Sequence, residues 1–201
     1  MCSIIGYKGE FDFELVKKIC DNSRIRGLHS FGYSYTKNNE ILTFKFNSYL
    51  KFIDSLKSNS PNIFIAHFRY STSGDYKNHL NNQPITKQNK SLVFNGVIDM
   101  RCKKEIESCY KIKLQTDNDG ELALIAKLES DIKFTELIKG KSFAGLFLDQ
   151  NDNIDVFRNK KRPCWIGYVN QNKIVASTKD ILNRTGLVDC KIINSDKIYT
   201  L

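Results

Sequence analysis

The chain opens with Met1-Cys-Ser-Ile-Ile-Gly-Tyr7, and this short apolar stretch is the starting point for predicting the fold. Its β-prone residues predict a strand over Cys2–Tyr7. Asp12 then offers a side-chain cap to Phe13–Arg24, where apolar residues recur with helical spacing. The sequence therefore predicts a strand followed directly by a helix.

Most of the remaining chain has the pattern of paired strands with a few helices between them. The predicted strands are Asn62–Tyr70, Ser91–Ile98, Phe143–Asp149, Ile154–Arg158, Cys164–Val169, Lys173–Ser177 and Cys190–Ile193, together with a hairpin within Leu28–Tyr49. The predicted helices are Leu50–Lys57, Glu121–Leu128 and Lys179–Thr185. This mixture predicts an α+β layered domain that fills residues 1–201 as one unit.

Composition argues against several classes of function. The 31 basic and 22 acidic residues give a net charge of +9, which can mark nucleic-acid binding, but the lysines are scattered and no nucleic-acid-binding motif is present. The six cysteines have no CxxC spacing and no compact Cys/His cluster, so neither a metal nor a cofactor is predicted. No run approaches the ~20 apolar residues that cross a bilayer, and no signal segment is visible. We expect a cytoplasmic protein without membrane contact.

Cys2 is the first candidate for chemistry because a cysteine at this position becomes the N-terminal residue once Met1 is removed. A terminal α-amine has a pKa of about 7.7 to 8.0, so it can accept the thiol proton at neutral pH. One residue would then supply both nucleophile and base. The alternative is a small buried residue at the start of a strand. The other five cysteines lie in helix-like or strand-like stretches, and we interpret them as packing residues.

Two further segments carry candidate residues. Arg69, which follows Ile-Ala-His67-Phe, could bind a carboxylate with two hydrogen bonds, or form a surface ion pair. His67 is more simply interpreted as a core residue. Asn95-Gly96 follows Leu-Val-Phe94 and would normally predict a β-turn, but a side-chain amide beside a backbone N–H can also form an oxyanion hole.

Taken in order, these segments resemble the class II glutamine amidotransferase family, whose nucleophile is an N-terminal cysteine. The matching pieces span nearly the whole chain: Cys2-Ser-Ile-Ile-Gly6, Arg26-Gly27-Leu-His-Ser30-Phe-Gly32, His67-Phe-Arg69-Tyr-Ser-Thr72-Ser-Gly74, Asn81-Asn-Gln83-Pro84, Phe94-Asn95-Gly96-Val-Ile98, Asp117-Asn-Asp119-Gly-Glu121, Arg158 to Gly167, and Ala176-Ser177. The resemblance implies a four-layer αββα N-terminal-nucleophile hydrolase fold with two antiparallel sheets.

The resemblance also implies an activity. Cys2 would attack the carboxamide of L-glutamine, form a thioester and release ammonia. Asn95 and the Gly96 N–H would stabilise the oxyanion, Arg69 would bind the α-carboxylate and Asp119 the α-ammonium. Thr72 and Arg26 are assigned to substrate binding by the same resemblance. A shift of two positions in the alignment would exchange Asp119 for Asp117.

This chain departs from the family at two positions and at its C-terminal end. Phe94 stands where the family usually has histidine, and His29 where it often has aspartate. Family members usually continue into a domain that consumes ammonia, whereas this sequence ends at Leu201. We therefore expect a separate synthase or ligase partner. The alternatives are a catalytically silent module of the same fold and, ranked third, a nucleic-acid-associated protein.

Overall fold

A computed structural model describes residues 1–71, 75–100, 103–128, 142–195 and 197–201 of the chain. The strands are β1 Ser3–Lys8, β2 Ser30–Lys37, β3 Glu40–Phe46, β4 Ile63–Arg69, β5 Ile85–Lys87, β6 Lys90–Asn95, β7 Ala144–Leu148, β8 Ile154–Arg158, β9 Trp165–Val169, β10 Asn172–Ala176, β11 Lys191–Ile192 and β12 Tyr199–Thr200. The helices are α1 Phe13–Arg24, α2 Tyr49–Asn59, α3 Lys103–Tyr110, α4 Asp119–Leu128 and α5 Lys179–Thr185, besides a 3-10 turn at His79–Asn81.

The described strands form two antiparallel sheets. The first has seven strands in the order β11-β9-β10-β1-β4-β2-β3, and the second has five in the order β12-β8-β7-β6-β5. β1 lies near the middle of the first sheet and pairs with β10 on one side and β4 on the other. The strand that begins beside Cys2 is therefore held from both sides.

Side-chain alternation along β1 explains the layering. Ile5 and Tyr7 belong to a core formed with α1, α2 and α5, whereas Ile4 belongs to a second core that lies between the two sheets. A third core joins the second sheet to α4. Because successive strand residues point to opposite faces, β1 contributes to two cores at once. The predicted four-layer αββα fold with two antiparallel sheets is confirmed.

Helix α1 forms where the sequence predicted it. Asp12 is its cap, with the carboxylate accepting a hydrogen bond from the Leu15 N–H at 3.0 Å. Val16, Ile19 and Cys20 form its buried face. The helix and its cap depend on local spacing alone, which is why the predicted bounds are confirmed.

Other predicted elements need correction. The strand predicted over Ser91–Ile98 ends at Asn95, because the Ile98 N–H donates to the Asp119 carboxylate at 2.8 Å instead of joining a ladder. Helix α3 was not predicted. Cys109 on that helix is exposed, so its interpretation as a packing residue was wrong, whereas Cys102 lies outside the described residues. None of the helices that the structure describes is long and apolar enough to span a membrane.

Lys45 lies on the same face of the first sheet as the core between the sheets. It is opposite Gly32 on β2, and its neighbour Thr43 contacts Thr86 of the second sheet with the hydroxyl oxygens 2.6 Å apart. Burial lowers the pKa of Lys45 to about 8, although the charge of Glu121 opposes this shift. The folded protein therefore holds this proton less tightly than the unfolded chain.

Lys45→Met is expected to raise the free energy of unfolding by about 1–3 kcal/mol at pH 7, because the desolvated charge is removed. Between pH 8 and pH 10.5 the wild-type protein loses this proton before the unfolded chain does, so the gain should shrink with rising pH. Urea unfolding at pH 7 and pH 10 measures the difference, with the exposed Lys51→Met as control. An equal gain at both pH values would contradict the assignment.

Candidate active site

A cavity of about 880 Å³ opens at the edge where β1 begins and where β4 and β6 end. Cys2, Arg69, Gly96 and Asp119, all predicted from the sequence as site residues, line it together. These residues are far apart in the chain: Cys2 directly precedes β1, Arg69 ends β4, Gly96 directly follows β6 and Asp119 begins α4. The fold thus collects a thiol, a guanidinium and a carboxylate around one space.

The Cys2 thiol lies against the backbone of Tyr70. The Tyr70 N–H donates to Cys2 Sγ at 3.4 Å, and Sγ in turn approaches the Tyr70 carbonyl oxygen at 3.6 Å. Burial raises the pKa of the thiol, against the hydrogen bond from Tyr70 and the positive charge of the chain terminus. A thiol in this state needs a base before it can attack a carbonyl carbon.

Arg26 lies beside the backbone at the start of the chain. Its Nε donates to the Cys2 carbonyl oxygen at 3.3 Å, and its Nη2 is 3.9 Å from Met1 Sδ. Arg162 approaches the same sulfur, with its Nη1 at 3.5 Å. Two guanidinium groups thus flank Met1, the residue whose removal would expose the Cys2 amine.

Arg69 is buried and held in a fixed orientation. Its Nη1 donates to Asn82 Oδ1 at 2.6 Å, and Asn82 Nδ2 donates to the Tyr76 carbonyl oxygen at 2.7 Å. Burial lowers the pKa of the guanidinium, and the charges of Cys2 and Asp119 oppose this shift. The cation is therefore close to both other groups of the cavity.

The two candidate aspartates differ in their surroundings. The Asp117 side chain is 66% exposed and pairs with Lys103 Nζ at 3.0 Å. Asp119 is half-buried at the first residue of α4, and its Oδ2 accepts a hydrogen bond from the Ile98 N–H at 2.8 Å. Burial raises the pKa of the Asp119 carboxyl, whereas backbone N–H groups and Arg69 oppose the rise. Asp119 is thus the aspartate that interacts electrostatically with Arg69.

Asn95 and Gly96 lie next to Cys2 at the end of β6. Asn95 Nδ2 donates to the Cys2 carbonyl oxygen at 3.1 Å. Neither residue has the positive φ that a hairpin turn of type I′ requires, so the Asn-Gly pair does not form that turn here. A Cβ on Gly96 would come within 2.4 Å of the Phe94 ring, so the site requires glycine.

A buried network of amide side chains, for which the sequence predicted no role, joins the walls of the cavity. Gln83 accepts a hydrogen bond from the Phe94 N–H, and its Nε2 donates to the Phe94 carbonyl and to Asn118 Oδ1, both at 3.1 Å. Asn118 Nδ2 donates to the Asn81 carbonyl at 2.7 Å. The only available signal was the cluster Asn81-Asn-Gln83, which the resemblance included without a function.

Known proteins are similar to this chain in sequence and in fold. No protein-family model matches the chain. The glutamine–fructose-6-phosphate aminotransferase (isomerizing) of Bacillus spizizenii is 27% identical over 194 residues, covering 88% of this chain and 32% of that protein. The chain thus spans about a third of the length of the curated relatives it matches.

Two solved structures are similar over nearly the whole chain. The glutamine phosphoribosylpyrophosphate amidotransferase from B. subtilis superposes with a TM-score of 0.70 at 19% identity, covering 100% of this chain and 49% of that one. A glutamine aminotransferase class-II domain protein from Silicibacter pomeroyi gives 0.63 at 11% identity, covering 99% and 94%. The chain has the fold of class II glutamine amidotransferase domains. The resemblance predicted from the sequence is confirmed.

Within the class II glutamine amidotransferase fold, both departures have a structural explanation. Phe94 stacks on Phe143 with ring centroids 6.4 Å apart and packs under Gly96. His29 stacks on Tyr70 and Tyr76, and its Nδ1 accepts a hydrogen bond from the Ser71 N–H at 2.8 Å. Phe94 and His29 therefore each pack against a residue that lines the cavity, Gly96 and Tyr70 respectively. Thr72, predicted to bind substrate, lies outside the described residues.

Proposed function

We propose that this chain hydrolyses the side-chain amide of L-glutamine through a Cys2 thioester and supplies the ammonia to a partner protein. The observation that carries the proposal is the shared cavity of Cys2, Arg69 and Asp119. A cavity lined by a thiol, a fixed cation and an anion matches a substrate that has an amide at one end and opposite charges at the other.

The proposed reaction has two steps. After Met1 is removed, the α-amine of Cys2 takes the thiol proton, and sulfur attacks the carboxamide carbon. The carbon–nitrogen bond breaks, the nitrogen leaves with that proton as ammonia, and a thioester remains. Water then attacks the thioester carbon, glutamate leaves, and the thiol is restored. No metal or cofactor enters this scheme.

Asn95 and the Gly96 N–H are proposed to stabilise the oxyanion that forms when sulfur attacks. The Asn95 amide already lies within 3.1 Å of the Cys2 carbonyl oxygen, which supports its position beside the reacting carbon. Loss of one such donor typically costs about 10²- to 10³-fold in kcat.

Arg69 and Asp119 are proposed to orient glutamine through its α-carboxylate and α-ammonium, and Thr72 is assigned to the same pocket by resemblance. Arg26 was also predicted to bind substrate. Its contact with the Cys2 carbonyl supports a place beside the nucleophile, from which it would act on the orientation of Cys2.

Release of glutamate and ammonia from glutamine by the full chain tests the proposal, with asparagine, one methylene shorter, as the matched control substrate. Equal amounts of both products from glutamine, and little from asparagine, are expected. Absence of glutamate from a protein whose mass shows Cys2 at the N-terminus would contradict it. If Met1 stays attached, the proposed base does not exist, and the silent module of the same fold becomes the better interpretation.

Asp119→Asn is expected to raise KM for glutamine about 10- to 100-fold, because it removes the anion that binds the α-ammonium while its side-chain oxygen can still accept from the Ile98 N–H. The matched control is Asp117→Asn, which should stay within about 3-fold of wild type because this exposed carboxylate pairs only weakly with Lys103. Initial-rate kinetics measure both. The reverse pattern would show that the alignment is shifted by two positions.

A further inference from the structure

His67 is a buried polar residue that the proposed mechanism does not use. It lies on β4, its side chain is 1% exposed, and it lines the same cavity as Cys2. Neither Nδ1 nor Nε2 makes a hydrogen bond to any residue that the structure describes. Because buried polar groups are nearly always paired, an imidazole of this kind at a cavity indicates a partner that enters the cavity.

The sheet register brings His67 close to the nucleophile. β1 pairs with β4 through Ser3 opposite Phe68 and Ile4 opposite His67. Continuing that register places Cys2 across from Arg69, on the same face of the sheet as His67 and diagonal to it. Diagonal neighbours of this type have Cα atoms ~7–8 Å apart. Cys2 and His67 both line the cavity of about 880 Å³, which has room for a small molecule beside them.

The charge state of His67 narrows the choice of that molecule. Burial, followed by the charges of Arg69 and Lys45, lowers the pKa of the imidazole to about 3. A neutral imidazole has one nitrogen that donates and one that accepts, so it suits a molecule that can do both. Ammonia and water fit this description. Ammonium does not, because Arg69 and Lys45 repel a cation and because ammonium has no lone pair.

We propose that His67 forms a subsite for one small neutral molecule beside Cys2, occupied first by the leaving ammonia and then by the water that attacks the thioester. This inference rests on the proposed function. In the first step the carbon–nitrogen bond breaks and ammonia leaves toward the imidazole with the proton taken from the thiol. In the second, the water oxygen bonds to the acyl carbon, the carbon–sulfur bond breaks, and a water proton returns to sulfur.

Three variants at position 67 test the subsite. His67→Leu removes both nitrogens, His67→Phe keeps a planar ring without them, and His67→Gln keeps an uncharged donor and acceptor. The measurements are kcat and KM for glutamine, and the rate at which a diazoketone analogue of glutamine alkylates Cys2. That alkylation needs the substrate pocket and the Cys2 nucleophile but neither ammonia nor water.

We expect His67→Leu and His67→Phe to lower kcat at least about 10-fold and to lower KM as well. Both effects follow because slower attack of water on the thioester lets the thioester accumulate. Alkylation should stay within about 3-fold of wild type in both. His67→Gln should keep kcat within about 3-fold. Since the nitrogens make no hydrogen bond to described residues, the thermal midpoint should not fall in the Leu variant.

Different results would contradict the His67 subsite and the proposed glutaminase function. Wild-type kcat and KM in the Leu variant, or equal loss of alkylation and turnover, would overturn the subsite while leaving the glutaminase intact. Failure of both the Leu and Phe variants to fold would show a structural role and overturn it too. A wild-type protein that neither hydrolyses glutamine nor reacts with the analogue would overturn the proposed function itself.

Discussion

Replacing Cys2 with Ala is expected to lower kcat for glutamine hydrolysis by at least about 10⁴-fold, because the variant has no group that can form the thioester. The cavity would keep Arg69 and Asp119, so glutamine should still bind. Thermal unfolding should change little, since Cys2 is half-buried and the hydrogen bonds of its thiol among the described residues are those with the backbone of Tyr70.

Two controls separate this result from a general effect of losing a thiol. Cys109→Ala removes an exposed cysteine on α3 and should leave kcat unchanged. Cys2→Ser keeps the position and a nucleophilic atom but not the sulfur, so a small residual rate is expected. Hydrolysis by Cys2→Ala at more than a hundredth of the wild-type rate would show that another residue is the nucleophile.

The second large effect is expected at Arg69. Arg69→Ala should raise KM for glutamine about 10²- to 10³-fold, because the substrate carboxylate would enter a buried site without its cation. Arg69→Lys should recover only part of this loss. Lysine keeps the charge but cannot form the planar pair of hydrogen bonds, and it would not reproduce the contact of Arg69 with Asn82.

A substrate analogue shows whether the higher KM of Arg69→Ala arises from the lost contact with the α-carboxylate of glutamine. 4-Aminobutanamide has the carboxamide and the amine of glutamine but no α-carboxylate. Wild type and Arg69→Ala should hydrolyse it equally slowly, whereas the two proteins should differ in their KM for glutamine. If Arg69→Ala lowered the rate with both compounds by the same factor, the guanidinium would support the fold of the site rather than bind substrate.

Local sequence signals explain why part of the fold could be predicted. Helix α1 was predicted within its observed bounds because Asp12 and the apolar spacing of its buried face lie within a few residues of each other. The four-layer arrangement was implied by the family resemblance, whereas strand β1 was predicted from its own short run of β-prone residues. Such elements depend little on the rest of the chain.

The parts that were missed depend on distant contacts. β6 ends at Asn95 because Ile98 bonds to Asp119, more than twenty residues away. Apolar residues at Val97 and Ile98 gave no sign of this. The roles of Asn82 and Gln83 in holding Arg69 and Phe94 likewise appear only once the strands are assembled.

Several residues of the candidate site were predicted, but a possible role of His67 in it was not. Cys2, Arg69, Gly96 and Asp119 were named from the order of motifs, and the structure brings them to one cavity. His67 was interpreted as a core residue, which its burial supports. Its lack of a hydrogen-bond partner among the described residues depends on tertiary packing and has no signature in the sequence.

Peptide mass spectrometry shows whether the N-terminal thiol of Cys2 attacks glutamine. The purified full chain is treated with a diazoketone analogue of glutamine, with and without excess glutamine, and then digested. We expect an N-terminal peptide that begins at Cys2, lacks Met1 and carries one covalent adduct, whose formation glutamine slows. A peptide that retains Met1 with Cys2 unmodified, or an adduct confined to another cysteine, would contradict it.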